Sequence, residues 1–213
     1  MPAAPSPATS TAPAAPALSA TERSRAAQWG AILFRNRGWL PVPFFVVPLL
    51  APGTQTAATW VIGALLVLAG EAFRLAGVAA AGTVTRRRSR DVQRLVTYGI
   101  FRWVRNPLYV GNLLAWLGVV TASGVLWFLP VALVLFAVEY TLIVRYEEGV
   151  LESIFGAEYL AYKASAPRWI PRPPARPESG PHDWGEALRS EVSTFLQYVV
   201  FAGVLVAKQL YWR

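Results

Sequence analysis

Residues 108–144 read LYVGNLLAWLGVVTASGVLWFLPVALVLFAVEYTLIV, an apolar run interrupted by one charge, Glu139. A membrane-spanning helix needs roughly 20 apolar residues. The run is too long for one crossing and long enough for two. Thr121-Ala122-Ser123-Gly124 or Pro130 supplies the reversal, so the stretch predicts a helical hairpin. Working outward, residues 57–81 form a clean apolar stretch with Trp60 near its start as an interfacial anchor. Residues 38–51 form a shorter one, broken by Pro41, Pro43 and Pro48 and therefore kinked or short. Downstream, residues 192–207 are a fifth apolar segment that can cross the bilayer or lie in its interface. The expected fold is an all-α polytopic transmembrane protein with about five spans, forming one domain over 28–213. Residues 1–27 are Ala, Pro, Ser and Thr with almost no large apolar side chain, the composition of a disordered tail. They lack the basic start and apolar run of a signal peptide.

Composition agrees with lipid as the solvent. Hydrophobic residues make up 54% of the chain and charged residues only 15%, with a mean hydropathy of +0.38. The net charge of +8 does not point to nucleic acid, because the basic residues fall between apolar runs. Arg35 and Arg37 precede the first span. Arg86, Arg87, Arg88, Arg90, Arg94, Arg102 and Arg105 lie between the second and third, and Arg145, Lys163, Arg168, Arg172, Arg176 and Arg189 follow the fourth. Connections 52–56 and 121–124 carry no charge. The positive-inside rule then places every basic segment on the cytoplasmic side. The C-terminus falls outside, where Lys208 and Arg213 run against the rule. With no cysteine and one histidine, His182, disulfides and a His or Cys metal centre are not expected. No G-x-G-x-x-G or P-loop pattern supports a soluble nucleotide-binding fold. The Arg/Ala-rich composition points to a prokaryotic inner membrane.

Three groups of polar residues need a reason. Residues 95–112, LVTYGIFRWVRNPLYVGN, run from a basic segment into a helix start: Asn106 can cap the first amides and Pro107 suits the first helical position. A capped span with interfacial arginines accounts for much of this. Tyr109, Gly111 and Asn112 in the first turns also place a ring, a gap and an amide at a helix N-terminus, which favours anions. Glu147 and Glu148 come next, at the end of the fourth span. Such a pair can simply mark where a helix leaves lipid, yet the hairpin returns it to the surface holding Arg102 and Arg105. The last group is charge inside spans: Glu71, Arg74 and Glu139. Glu71 and Arg74 are three apart and can pair on one helix face, which favours a structural role.

With these residues in view, the chain resembles the isoprenylcysteine carboxyl methyltransferases and the related phospholipid N-methyltransferases. The resemblance runs over about residues 60–171. Its elements are Leu95-Val96-Thr97-Tyr98-Gly99-Ile100-Phe101, Arg105-Asn106-Pro107-Leu108-Tyr109-Val110-Gly111, Glu147-Glu148, Leu151, Phe155-Gly156, Tyr159, Tyr162 and Trp169-Ile170-Pro171. Two departures stand out: Ile100-Phe101 replaces Pro-Tyr, and Asn106 replaces the family's histidine, removing a group able to shuttle a proton. The resemblance implies an S-adenosylmethionine-dependent methyltransferase with a cytoplasmic-facing site and a lipid-like or small hydrophobic acceptor. It implies that Val96, Thr97 and Gly99 cradle the nucleoside, while Asn106, Tyr109, Gly111 and Tyr159 surround the rest of the cofactor. Arg105 would partner its carboxylate, and Glu147, with Glu148, would take its amino group or orient the acceptor. Membrane sterol reductases using NADPH share an Asn-Tyr-x-Gly-like element, and a non-catalytic scaffold could keep the same fold. The acceptor stays open among prenylated carboxylates, amino lipids and hydrophobic thiols.

Overall fold

The computed structural model describes residues 25–36, 41–82, 94–176 and 179–211. Most of the expected tail, arginines 86–90 and residues 38–40 of the first expected span lie outside these. Among the described residues, seven α-helices follow in order: α1 (Arg25–Asn36), α2 (Pro41–Leu50), α3 (Ala57–Ala81), α4 (Pro107–Ala122), α5 (Leu129–Phe155), α6 (Ala157–Ser165) and α7 (Trp184–Tyr211). Short 3-10 turns occupy Gly99–Arg102 and Leu126–Phe128, and no strand occurs among the described residues. Among the described residues, three segments are long and apolar enough to cross a membrane: Ala57–Ala81, Leu126–Phe155 and Trp184–Tyr211. Helix α4 is apolar but shorter, at 16 residues. The protein is a polytopic helical integral membrane protein.

The hairpin uses both reversal signals. Gly124 adopts a φ of 72°, a left-handed conformation that glycine accepts readily, and Pro130 sits in the first turn of α5. Helix α2 differs from the expected first span. Its ten residues rise only about 15 Å, half the hydrocarbon thickness, and Pro48 lies inside it. Helix α1 begins at Arg25, inside the stretch expected to be tail.

Helix α7 extends the fifth segment at both ends, is long and apolar enough to cross a membrane, and lies along α3. Arg74 meets Glu191 near one end of the pair, while Trp60 Nε1 donates to Gln209 at 3.2 Å near the other. The two helices are therefore antiparallel over most of their length. Gln55 Nε2 donates to the carbonyls of Ala122 and Leu205 at 3.3 and 3.2 Å. Lys208, against the charge rule at this end, is buried, and its ammonium donates to Pro48 O at 2.7 Å and Ser123 O at 3.3 Å. The C-terminal ends of α2 and α4 thus supply the carbonyls that receive this cation.

Helices α3 and α4 pack through glycine. A Cβ on Gly63 would fall 2.7 Å from Gly118 O, and one on Gly70 would fall 2.5 Å from Gly111 O. The seven-residue spacing in both helices keeps these contacts on one antiparallel seam, where small residues let backbones approach. Gly70→Val is expected to destabilise by about 1–3 kcal/mol through overpacking. Gly203→Val, at a position with open space around it, should leave melting in detergent unchanged and serves as the control.

Candidate functional site

The end of the bundle opposite Lys208 collects the C-terminal ends of α3 and α5, the start of α4, and helix α6. Segment 166–172 returns there and is laced to the 3-10 turn: Arg105 N–H donates to Pro167 O at 2.8 Å and Arg172 N–H to Trp103 O at 3.0 Å. Tyr162 OH donates to Phe101 O at 2.8 Å. Beneath these bonds, Leu95 and Phe101 pack against Tyr159, Tyr162 and Ala166.

Glu148 lies at the centre. It is 4% exposed and both its oxygens are engaged. Arg105 reaches Oε1 through Nε and Nη2, each at 3.1 Å; Arg168 reaches Oε1 through Nε at 3.1 Å and Oε2 through Nη2 at 2.6 Å. Arg105 Nη1 also donates to Lys163 O at 2.9 Å and Ala166 O at 2.6 Å, so one guanidinium ties α4, α5 and α6 together. Two cations face one carboxylate, leaving the cluster with net positive charge. Glu147 is half-buried and points elsewhere, since neighbouring helical residues diverge by about 100°.

Tyr159 is 1% exposed, with Lys163 Nζ 5.9 Å from its ring centre. Burial pushes its phenol above the usual tyrosine range, and Glu148 pushes it further while Arg105 pulls it back. Burial likewise raises the Tyr162 phenol, against the pull of Arg105 and Arg102. Both rings keep their protons at neutral pH.

Two expected site residues take different places. Asn106 makes no side-chain cap; its φ of −122° and ψ of 57° turn the amide away, and Nδ2 donates to Arg168 O at 3.2 Å. Pro107 alone starts α4 in the expected manner. Gly111 faces α3: a Cβ there would meet Gly70 O at 2.5 Å and Arg74 Cγ at 2.6 Å, so it serves the helix seam. Tyr109 is buried beside Tyr140, with ring centres 4.9 Å apart, in the aromatic cluster that also holds Trp116 and Phe136. Val96, Thr97 and Gly99 are half-buried at the rim, Gly99 with a φ of 59°.

Arg168 is the central residue that sequence reading counted only as one basic residue among many. Its signal was its position just before Trp169-Ile170-Pro171. The charges inside the spans form a second network. Arg74 pairs with Glu71 at 3.4 Å, as their spacing suggested, but also with Glu191 of α7 at 2.7 Å, and it donates to Asn112. Asn112 Nδ2 reaches Tyr140 OH at 3.4 Å, and Tyr198 OH donates to Glu71 at 3.2 Å. Glu139 is buried in α5.

A multi-span helical bundle with a buried ion cluster at its helix ends defines an integral membrane protein. Residues 58–158, from α3 into α6, match the family model for phospholipid methyltransferases. Over these residues the chain is similar to the isoprenylcysteine carboxyl methyltransferase and phospholipid methyltransferase-like family. The protein-S-isoprenylcysteine O-methyltransferase of Xenopus laevis is 34% identical over 127 residues, covering 53% of this chain and 41% of its own length. Protein-S-isoprenylcysteine O-methyltransferase A of Arabidopsis thaliana is 31% identical over 133 residues, covering 58% of this chain and 65% of its own. The cobalt-zinc-cadmium resistance protein CzcN of Cupriavidus metallidurans is 33% identical over 131 residues, covering 62% of this chain and 60% of its own. The chain thus spans less than two thirds of the length of these relatives. No solved structure matches it.

Proposed function

We propose that this chain is an S-adenosylmethionine-dependent methyltransferase working at one membrane face, the cytoplasmic one by its basic flanks, on a lipid-like or small hydrophobic acceptor. The carrying observation is Glu148, buried at a span end between Arg105 and Arg168, in a chain that matches the phospholipid methyltransferases over 58–158. That match favours methyl transfer over the reductase and scaffold alternatives. When bound, S-adenosylmethionine supplies an electrophilic methyl group on a sulfonium.

The residues present fit such a group. Its carboxylate suits the excess positive charge of Arg105 and Arg168 over Glu148. Its nucleoside needs backbone at close approach, and Val96, Thr97 and Gly99 offer a half-exposed strip with a side-chain-free turn. Displacement at a methyl carbon is in line, so holding the two reactants in register carries much of the catalysis. Glu148, with both oxygens on guanidiniums, orients the two arginines instead of accepting a proton. Tyr159 and Tyr162, protonated, stabilise by packing, and Tyr162 also by donation to Phe101 O. A carboxylate or thiolate acceptor needs no base and suits this chemistry. An ammonium acceptor must first lose a proton, and Glu147 is the carboxylate left for that step.

The test is a methyl-transfer assay on the purified chain in lipid, with labelled S-adenosylmethionine and membrane lipid extracts. Label is expected in a lipid-extractable product. Label confined to water-soluble products, or binding of NADPH in place of S-adenosylmethionine, would count against the assignment.

A further inference from the structure

The chain's single histidine lies beyond the residues that match the family, in the strap that enters α7. Both ends of that strap are pinned. Asp183 N–H donates to Ala79 O at 2.9 Å, and Asp183 Oδ1 accepts from Glu186 N–H at 2.7 Å, capping α7. Gly180 rests on the ring of Tyr98; a Cβ there would fall 2.5 Å from Tyr98 Cε2. Tyr98 OH lies 3.1 Å from Pro181 O and 2.8 Å from Ala80 O. The strap therefore crosses the backbone at Tyr98 and Gly99, and Gly99 is one of the residues that the methyl-donor reading assigns to the nucleoside.

His182 is exposed and oriented by its neighbours. Its ring stands edge-on to Tyr98 at 5.7 Å and lies parallel to Trp184 at 5.9 Å and 10°. Nδ1 is 2.7 Å from Gly180 O. A carbonyl oxygen only accepts, so Nδ1 carries the hydrogen, and in the neutral ring Nε2 is an acceptor. No group among the described residues donates to Nε2. It faces Gly99, where a Cβ would fall 2.6 Å away. An oriented acceptor on an exposed side chain thus lies against the Gly99 backbone, and a nucleoside carries donors of the matching kind in its ribose hydroxyls and exocyclic amine.

We propose that His182 Nε2 accepts a hydrogen bond from the nucleoside half of the methyl donor, making the α7 strap part of the donor site. This rests on the methyl-donor reading above. The experiment is calorimetric titration of the full chain in detergent with S-adenosylmethionine and, separately, S-adenosylhomocysteine, which share the nucleoside. His182→Phe keeps a ring and removes the acceptor; it should weaken both ligands by the same factor, roughly three- to tenfold, the range for one neutral hydrogen bond. His182→Gln, which restores an acceptor oxygen, should recover part of the loss. Trp184 fluorescence should respond to either ligand in the wild type and respond less in His182→Phe. Wild-type binding with both ligands unchanged in His182→Phe overturns the role of His182 and leaves the donor reading standing. Weakening of S-adenosylmethionine alone moves the contact to the sulfonium end and also overturns it. If the wild type binds neither ligand, the donor reading fails and takes this inference with it.

Discussion

Glu148→Ala is expected to lower the melting temperature in detergent by roughly 6–12 °C and to abolish binding of S-adenosylmethionine. The substitution leaves Arg105 and Arg168 facing each other with no anion between them. Removing one partner of a buried ion pair costs about 3–5 kcal/mol. The low end applies, because the Arg168 side chain is 35% exposed and water reaches it, while that of Arg105 is only 9% exposed. About 3 kcal/mol converts to that temperature shift for a chain of this size, at roughly 2–4 °C per kcal/mol. Binding fails for a separate reason. Without Glu148, Arg105 keeps its carbonyl partners Lys163 and Ala166, but Arg168 loses what holds its guanidinium. Glu148→Gln keeps the shape and one oxygen acceptor, so it should melt closer to wild type yet bind the donor weakly. Glu147→Ala should cost less stability than Glu148→Ala, because Glu147 is only half-buried. If Glu148→Ala melts within a degree or two of wild type, the cluster is not the keystone of this end.

The difference between those two glutamates marks how far sequence alone could see. The pair was readable as an anionic wall brought back to Arg105 by the hairpin, because run length and Gly124 and Pro130 encode the reversal locally. Helix α3 was readable for the same reason, as an apolar stretch over 57–81 whose two charges, Glu71 and Arg74, are spaced to pair with each other. Which glutamate faces inward was not, because adjacent helical positions diverge and the deciding partner, Arg168, is twenty residues away. Asn106 looked like a cap by its residue type, and a distant carbonyl, Arg168 O, took its amide instead. Gly111 looked like space for a ligand, yet its matching glycine lay on α3. The heptad spacing of Gly63, Gly70 and Gly77 against Gly111 and Gly118 was a sequence signal for that seam. Helix α7 was underestimated at its start because Glu186, Arg189 and Glu191 interrupt the apolar pattern. Glu191 fits there only because Arg74, 117 residues earlier, receives it.

Arg74→Met should be the most damaging change within the spans, and its sign can be isolated by charge balance. Glu71, Arg74 and Glu191 together carry one net negative charge. Glu191 is fully buried and has both oxygens on Arg74, at 3.0 and 2.7 Å. Arg74→Met leaves two carboxylates in a low-dielectric interior and removes the link to Asn112, for an expected cost of about 3–5 kcal/mol. Glu191→Gln changes the balance the other way. It keeps an acceptor for Arg74, leaves Glu71 as counter-ion at 3.4 Å and brings the cluster to neutrality, so it should cost far less than Arg74→Met. The double variant Arg74→Met with Glu191→Met returns the net charge to its starting value and replaces the pair with apolar groups of similar length. It should recover most of the stability lost in Arg74→Met, since buried ion pairs are often matched by packed hydrophobic ones. Thermal melting of the three variants in one detergent separates the cases. A double variant no more stable than Arg74→Met would mean that the hydrogen bonds to Asn112 and Thr194, and not the charge, hold α7 against α3 and α4.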